Sequence, residues 1–236
     1  HLTHEGRPLR GVRAFADWSE VSDTEYLRDL GNTLELSSEI RLAQMAGLDW
    51  RRGAASARLW VQDLAVLDAV QAPSYARLPE LQFAWAPGRG VLPSSDFAPQ
   101  WSVQGVATRF DRDDPRFTGP AAIVGDRVHL APSVALPFRR PWGGLTAEAG
   151  VQLTAYDLDR VPDGTDPRPT RVVPDVSLDG ELIFERNFAN GALMTLEPRL
   201  FWLWRPARSQ ARLPLFDSSA LTFGYPALTR RDRFSG

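Results

Sequence analysis

Apolar and polar residues alternate with a period of two along several stretches of the chain. In the clearest stretch the odd positions from Leu145 to Ala155 are all apolar, while the even positions up to Tyr156 are mostly polar or small. Similar alternation begins at Leu34 and at Val172. Because successive side chains of a β-strand point to opposite sides, this period predicts strands with one apolar and one polar face.

The alternation predicts an all-β, antiparallel meander of about ten long strands, with no second domain within 1–236. Most of the predicted strands exceed the ~5–6 residues of an average strand. A strand that crosses a bilayer needs about 9–11 residues, so these lengths favour a segment of a transmembrane β-barrel. The strands are expected at 9–20, 33–45, 50–63, 78–86, 98–110, 126–138, 145–157, 171–185, 192–206 and 218–226.

The predicted connectors alternate between short and long. Short turns at one rim and long loops at the other are typical of outer-membrane barrels. Only the connector at 87–97 is longer than this pattern requires. The short ones are expected near 46–49, 139–144 and 186–191, and the long ones at 21–32, 64–77, 111–125, 158–170 and 207–217.

Tryptophan placement gives a second indication of a membrane. Trp18, Trp85 and Trp204 end predicted strands on the apolar side, and Trp101 begins one. Indole rings favour the interface between lipid tails and water, although core aromatics of a soluble protein would give the same pattern. The longest strictly apolar run is Leu200 to Trp204, far below the ~20 residues of a spanning helix, which excludes a helical membrane protein.

Composition narrows the possible chemistry. The net charge is −2 and there is no basic run, so a nucleic-acid partner is not expected. With no cysteine, the chain has neither a disulfide framework nor a thiolate nucleophile. The histidines are His1, His4 and His129, and none has an obvious catalytic triad around it. We therefore expect neither an enzyme nor a cofactor. The chain starts at His1 without methionine or signal peptide and is expected to be an internal segment.

Three proline residues lie inside predicted strands, at Pro132, Pro174 and Pro198. Proline removes an amide donor from the ladder and is usually confined to sheet edges and bulges. Two interpretations stay open at this point. The prolines mark local bulges, or they weaken strand pairing deliberately in a wide barrel.

Six groups of residues, in order along nearly the whole chain, resemble the LptD family of lipopolysaccharide-assembly proteins. Any one of these motifs alone is weakly specific, but the order of all six is a specific signal. The motifs are Tyr26 to Asn32, Ser74 to Leu81, Arg127 to Pro137 with Pro141 to Gly143, Leu178 to Gly180 with Phe184 to Arg186, Thr195 to Leu200, and Leu213 to Ser218 with Arg233 to Gly236.

The resemblance implies an export channel of the bacterial outer membrane, with a barrel of about 26 strands. In the family, a periplasmic jelly-roll domain precedes the barrel, and a lipoprotein, LptE, plugs it. The implied partners are lipopolysaccharide, an LptE-like plug, membrane lipids, and an LptA-like periplasmic bridge that binds the N-terminal domain. Two alternatives stay open: a general porin-type barrel, and a soluble β-sandwich that binds carbohydrate.

For a barrel wall, the alternation assigns each residue to the lumen or to lipid. Residues expected to face the lumen are Glu35, Glu39, Arg41, Arg127, His129, Glu148, Gln152, Asp175, Asp179, Glu181, Glu197 and Arg199. Residues expected to face lipid are Leu34, Leu36, Val128, Leu130, Leu145, Val151, Leu153, Leu182, Phe184, Leu196, Trp202 and Trp204.

Overall fold

The computed structural model describes residues 1–20, 41–66, 75–87, 98–220 and 234–235. Ten strands form one antiparallel sheet in the order β1-β2-β3-β4-β5-β6-β7-β8-β9-β12, and two further strand pairs lie outside it. The bounds are β1 Leu2–Leu9, β2 Val12–Trp18, β3 Arg41–Arg52, β4 Ala55–Val66, β5 Ala76–Trp85, β6 Gln100–Asp111, β7 Val124–Arg140, β8 Gly143–Asp159, β9 Thr170–Leu182, β10 Phe184–Asn187, β11 Leu193–Leu196, β12 Arg199–Trp204, β13 Ser219–Ala220 and β14 Phe234–Ser235.

The predicted all-β, antiparallel meander is confirmed. Strands β7 and β8 have 17 residues each and pair from Val124–Asp159 at one end to Arg140–Gly143 at the other. Within the described ranges, the only helical element is a short 3-10 turn, Gly119–Ala122. No helix among those residues is long and apolar enough to span a membrane.

The prediction of one strand over 9–20 is wrong at its start. Strand β1 begins at Leu2, and a tight turn at 10–11 leads into β2. Gly11 adopts a φ of +80°, the left-handed region that favours glycine. The sequence of β1 alternates weakly, because His4 to Arg7 contain no large apolar residue at either parity. The pattern therefore predicts no strand there.

The short connector predicted at 46–49 is also wrong, because these residues lie inside β3. The turn between β3 and β4 falls at 53–54 instead, with Gly53 at a φ of +57°. Gly47 serves close packing and not a turn: a Cβ added there would lie 2.6 Å from both the Leu59 carbonyl oxygen and the Trp60 Cβ. A glycine in a strand often marks this kind of close approach.

Gly47→Ala should therefore lower the free energy of unfolding by about 1–3 kcal/mol, the usual cost of overpacking. Gly180→Ala is the matched control, since the nearest atom to its added Cβ would be the Leu145 Cδ1 at 3.6 Å, an ordinary contact. Denaturant titration of the full-length protein refolded in detergent measures both changes. Equal stability of the two variants would contradict the assigned packing.

The predicted strands over 171–185 and 192–206 are each divided in two. Register is kept across the break: Glu181 pairs with Arg199 on one side, and Phe184 pairs with Leu196 on the other. At the break the amide of Ile183 donates to the carbonyl of Trp142, 2.8 Å away. Pro198 has no amide to donate, and so the ladder is interrupted next to it.

The other two strand prolines do not shift the register. Pro132 lies opposite Val103 and Pro174 opposite Val151, and the register is continuous through both pairings. On the other side of β7, the ladder to β8 omits Ala131 and Pro132 but resumes at Ser133 opposite Gly150 without a shift in register. The bulge interpretation is therefore wrong for Pro132 and Pro174. Register shifts occur elsewhere, between Gly6 and Leu9, between Trp60 and Gln62, and between Arg77 and Glu80.

Successive connectors of an antiparallel meander lie at opposite ends of the strands, and these two ends form two edges of the sheet. The turns at 10–11, 53–54, 141–142 and 188–192, and the passage from β5 to β6, leave one edge, which we call the short-turn edge. The connectors at 112–123, 160–169 and 205–218, and the passages from β2 to β3 and from β4 to β5, leave the other, the long-connector edge. Of the predicted strand over 218–226, the structure describes 218–220, in which Ser219–Ala220 pairs with Phe234–Ser235. Residues 221–226 and the motif Tyr26 to Asn32 lie outside the described residues.

Candidate functional surface: the two faces of the sheet

Cross-strand partners project to the same side of a sheet, so the register divides the strands into two faces. Leu130 pairs with Leu153, and Leu178 pairs with Trp202. On the opposite side His129 pairs with Thr154. We call the first side the apolar face and the second the polar face.

The apolar face is covered by large side chains that remain exposed. Val128 is 53% exposed, Trp202 48% and Leu200 75%. Exposed apolar patches of this extent are unusual on soluble monomers and mark a surface that meets lipid or protein. The sequence-predicted residues on this face are Val128, Leu130, Leu145, Val151, Leu153, Leu182, Trp202 and Trp204, with Phe184 and Leu196 paired in the same register beyond the break.

Tryptophans lie on this face at both ends of the strands. Trp18 pairs with Leu2, and Trp101 pairs with Val134. Both rings are exposed. Indole rings in such positions are typical of the aromatic girdles of membrane barrels.

The polar face holds eight of the residues expected to face the lumen, and several of these are hydrogen-bonded to neighbouring strands. His129 Nδ1 lies 2.9 Å from the Thr154 hydroxyl, and Arg199 donates to Asp179. Asp175 is buried and lies 3.5 Å from a guanidinium nitrogen of Arg205. The eight are Arg127, His129, Glu148, Gln152, Asp175, Asp179, Glu181 and Arg199.

The other residues expected to face the lumen or lipid are not placed on either face. Glu197 lies in the break between β11 and β12. Arg41 begins β3, but its side chain lies outside the described residues, as do Glu35, Glu39, Leu34 and Leu36 altogether. Their orientation stays a prediction.

A carboxylate held by two arginines links β2, β3 and β4 on the polar face. Arg13 donates to Asp49 over 2.5 Å and 3.0 Å, and Arg58 donates to the same carboxylate over 2.5 Å. Both guanidinium carbons lie within 6 Å of the Phe15 ring centre, at 5.7 and 5.5 Å. The sequence pattern does not predict this group, because Asp49 falls within the connector predicted at 46–49.

A second group surrounds Glu80, which is only 3% exposed. Its carboxylate accepts hydrogen bonds from the Trp60 indole at 3.1 Å, from Gln82 at 2.6 Å and from Thr108 at 3.0 Å. A buried carboxylate is tolerated only when it is hydrogen-bonded in this way. Its partners come from β4, β5 and β6, so no local sequence signal could have identified it.

An aromatic cluster lies on the polar face near the long-connector edge. Phe110 of β6 is fully buried, and Phe216 of the 205–218 connector stacks on it with ring centres 4.4 Å apart. Ile123 and Leu158 complete the buried cluster, and Tyr75 packs against it. This is the main hydrophobic cluster among the described residues.

The connector at 112–123 is bound to the same cluster through Tyr75, which precedes β5. The Arg112 guanidinium lies between two rings, 3.9 Å from the centre of Tyr75 and 3.8 Å from that of Phe117. Burial raises the pKa of the Tyr75 phenol, and the neighbouring Arg112 opposes the rise. The phenol therefore stays protonated at neutral pH and donates to the Ile123 carbonyl over 2.9 Å.

Long antiparallel strands, an exposed apolar face and a hydrogen-bonded polar face are together the features of a segment of a transmembrane β-barrel. The family follows from comparison with known proteins. The family model described as "LptD: LPS transport system D" matches residues 1–236. The chain belongs to the LptD family.

Relatives agree with this assignment. The chain is similar to the LPS-assembly protein LptD of Alkalilimnicola ehrlichii, with 37% identity over 100% of this chain and 30% of the relative. It is 34% identical to the protein of that name from Nitrosococcus oceani, over 99% of this chain and 31% of the relative. It is 31% identical to the LPS-assembly protein LptD of Pseudomonas aeruginosa strain LESB58, over 94% of this chain and 27% of the relative. The chain thus spans under a third of the length of these curated relatives.

Proposed function

We propose that this chain forms part of the wall of an outer-membrane channel that assembles lipopolysaccharide into the outer leaflet. The polar face lines the lumen and the apolar face meets the lipid tails. The observation that carries this proposal is the row of exposed apolar side chains from β5 to β12, opposite a face of paired charges. A mid-depth charge on a lipid-facing surface costs about 2–4 kcal/mol, which explains the separation.

Charged groups on the polar face suit passage of a sugar-phosphate headgroup. Arginine forms planar, bidentate contacts with phosphate as well as with carboxylate. Arg13, Arg58, Arg127 and Arg199 are all held by carboxylates on that face, so these positive charges are each paired with a negative one. Such a surface lets a charged headgroup pass without binding it tightly.

The proposed partners follow from the family. They are lipopolysaccharide, a lipoprotein plug like LptE within the lumen, surrounding membrane lipids, and an LptA-like bridge that reaches the barrel through an N-terminal domain of the longer protein. The segment itself requires no covalent chemistry in this role. Membership of a lipopolysaccharide-transport family favours it over a general porin, and the uncovered apolar face is evidence against a soluble sandwich.

The proposed topology places the long-connector edge outside the cell and the short-turn edge in the periplasm. In the full-length protein, cysteine in place of Asp163 should react with a membrane-impermeant thiol reagent on intact cells. Cysteine in place of Asn190 should react only after the outer membrane is broken. Both residues are exposed and lie in connectors outside the strands; Asn190→Cys removes one hydrogen bond from the Ala192 amide, which lies within the same connector.

These positions are preferable to glycines at the same edges. Gly143 has a φ of +155°, and an added Cβ would lie 2.3 Å from the Glu181 carbonyl oxygen. The chain has no native cysteine, so background labelling from this segment is absent. Labelling of Asn190→Cys but not Asp163→Cys on intact cells would invert the proposed topology.

A further inference from the structure

The connector 205–218 does not extend away from the edge where β12 ends. It returns over the polar face to β6, four strand positions away in the sheet, a distance of about 19 Å at ~4.8 Å per strand. Its contacts with the sheet are specific. Phe216 stacks on Phe110 of β6, and its ring centre lies 6.3 Å from that of Tyr156 of β8.

The next residue, Asp217, adds a bidentate ion pair. Arg127 of β7 donates to the two carboxylate oxygens over 2.6 and 2.9 Å, and Arg77 of β5 lies 3.4 Å from one of them. Arg127 and Asp217 are only 11% and 13% exposed. Fork-to-fork pairs of this kind are among the stronger hydrogen bonds, and loss of one partner leaves a charge poorly compensated.

The receiving surface is built on strands, whereas the docked residues belong to a connector. Arg77, Phe110, Arg127 and Tyr156 come from four adjacent strands, whose backbones are fixed by the ladder. Leu215, beside the docked pair, is 78% exposed. The connector therefore binds through Phe216 and Asp217 and presents its opposite side away from the wall.

We propose that Phe216 and Asp217 form a latch that docks connector 205–218 inside the lumen, and that the docked connector closes this part of the long-connector edge to solutes. The binding site for the latch is Arg77, Phe110, Arg127 and Tyr156. Release of the latch widens the opening. This inference rests on the proposed function, because it requires the polar face to line a lumen.

The test uses the full-length protein, purified with its lipoprotein partner and inserted into planar bilayers. Asp217→Asn removes the charge at nearly constant volume, and Phe216→Ala removes the stacked ring. Each should raise the ion conductance several-fold over the unmodified protein. Asp217→Glu keeps the charge and should retain low conductance.

The matched control is Asp126→Asn near the same edge. Asp126 pairs with Arg109 at 3.1 Å on the apolar side, where a latch is not expected, so its loss should leave conductance unchanged. Heat-modifiable gel mobility reports separately whether each variant forms a folded barrel.

The two readouts separate the two proposals. Folded Asp217→Asn protein with unchanged conductance would overturn the latch. Loss of the folded barrel in both Asp217→Asn and Phe216→Ala would assign these residues to assembly of the wall and would also overturn it. Failure of the unmodified protein to form a heat-modifiable barrel would instead contradict the proposed function.

Discussion

Val151→Arg in the full-length protein is expected to reduce the folded barrel in membranes sharply. Val151 lies midway along β8 on the apolar face, opposite Pro174 of β9. A guanidinium at the middle of the bilayer costs about 2–4 kcal/mol, enough to shift most of a marginally stable population. The folded fraction is measured by heat-modifiable gel mobility after extraction from membranes.

Gln152→Arg is the matched control, with the same substitution one position further along the same strand. Gln152 lies on the polar face opposite Val173, and buried Asp175 is two residues further along β9. A new arginine there has one diagonal neighbour of each sign, Arg171 and Asp175, on a face that is already polar, and should leave assembly nearly unchanged. Successive side chains point to opposite faces, so a register shift by one residue would reverse both results. Equal tolerance of the two variants would refute the proposed orientation of β8.

Strands with strong alternation could be predicted from sequence because each residue follows a local rule. The predicted strand over 145–157 lies within β8, Gly143–Asp159, and that over 171–185 contains most of β9. The confirmed meander also follows locally, since neighbouring strands in the sequence pair in the sheet. The break beside Pro198 separates the β9–β12 pairing from the β10–β11 pairing, and the alternation of apolar and polar residues does not predict it.

Positions determined by contacts distant in sequence could not be predicted in this way. Gly47 resembles a turn residue until Leu59 and Trp60 are placed against it. Asp49 resembles a loop acid until Arg13 and Arg58 approach from neighbouring strands. Phe216 and Asp217 belong to the motif Leu213 to Ser218, but the motif alone assigns them no role, because their partners lie on strands far earlier in the chain.

We expect the isolated 236-residue chain to be insoluble in plain buffer. Among the described residues, β1 and β12 each have a strand partner on one side only. Unpaired edges recruit other chains, and the apolar face has no cover in water. We therefore expect aggregates in buffer. Detergent micelles cover the apolar face, so the same chain in detergent should be dispersed and rich in β-structure, and this condition is the control.

Size-exclusion chromatography with circular dichroism in both media measures this outcome. The expected result is material in the void volume without detergent, and a single included peak with β-sheet signal when detergent is present. A sharp monomeric peak in plain buffer, with cooperative thermal unfolding, would require the apolar face to be covered within the chain itself. That result would favour the soluble sandwich and would contradict a lipid-facing role for Val128, Leu145 and Trp202.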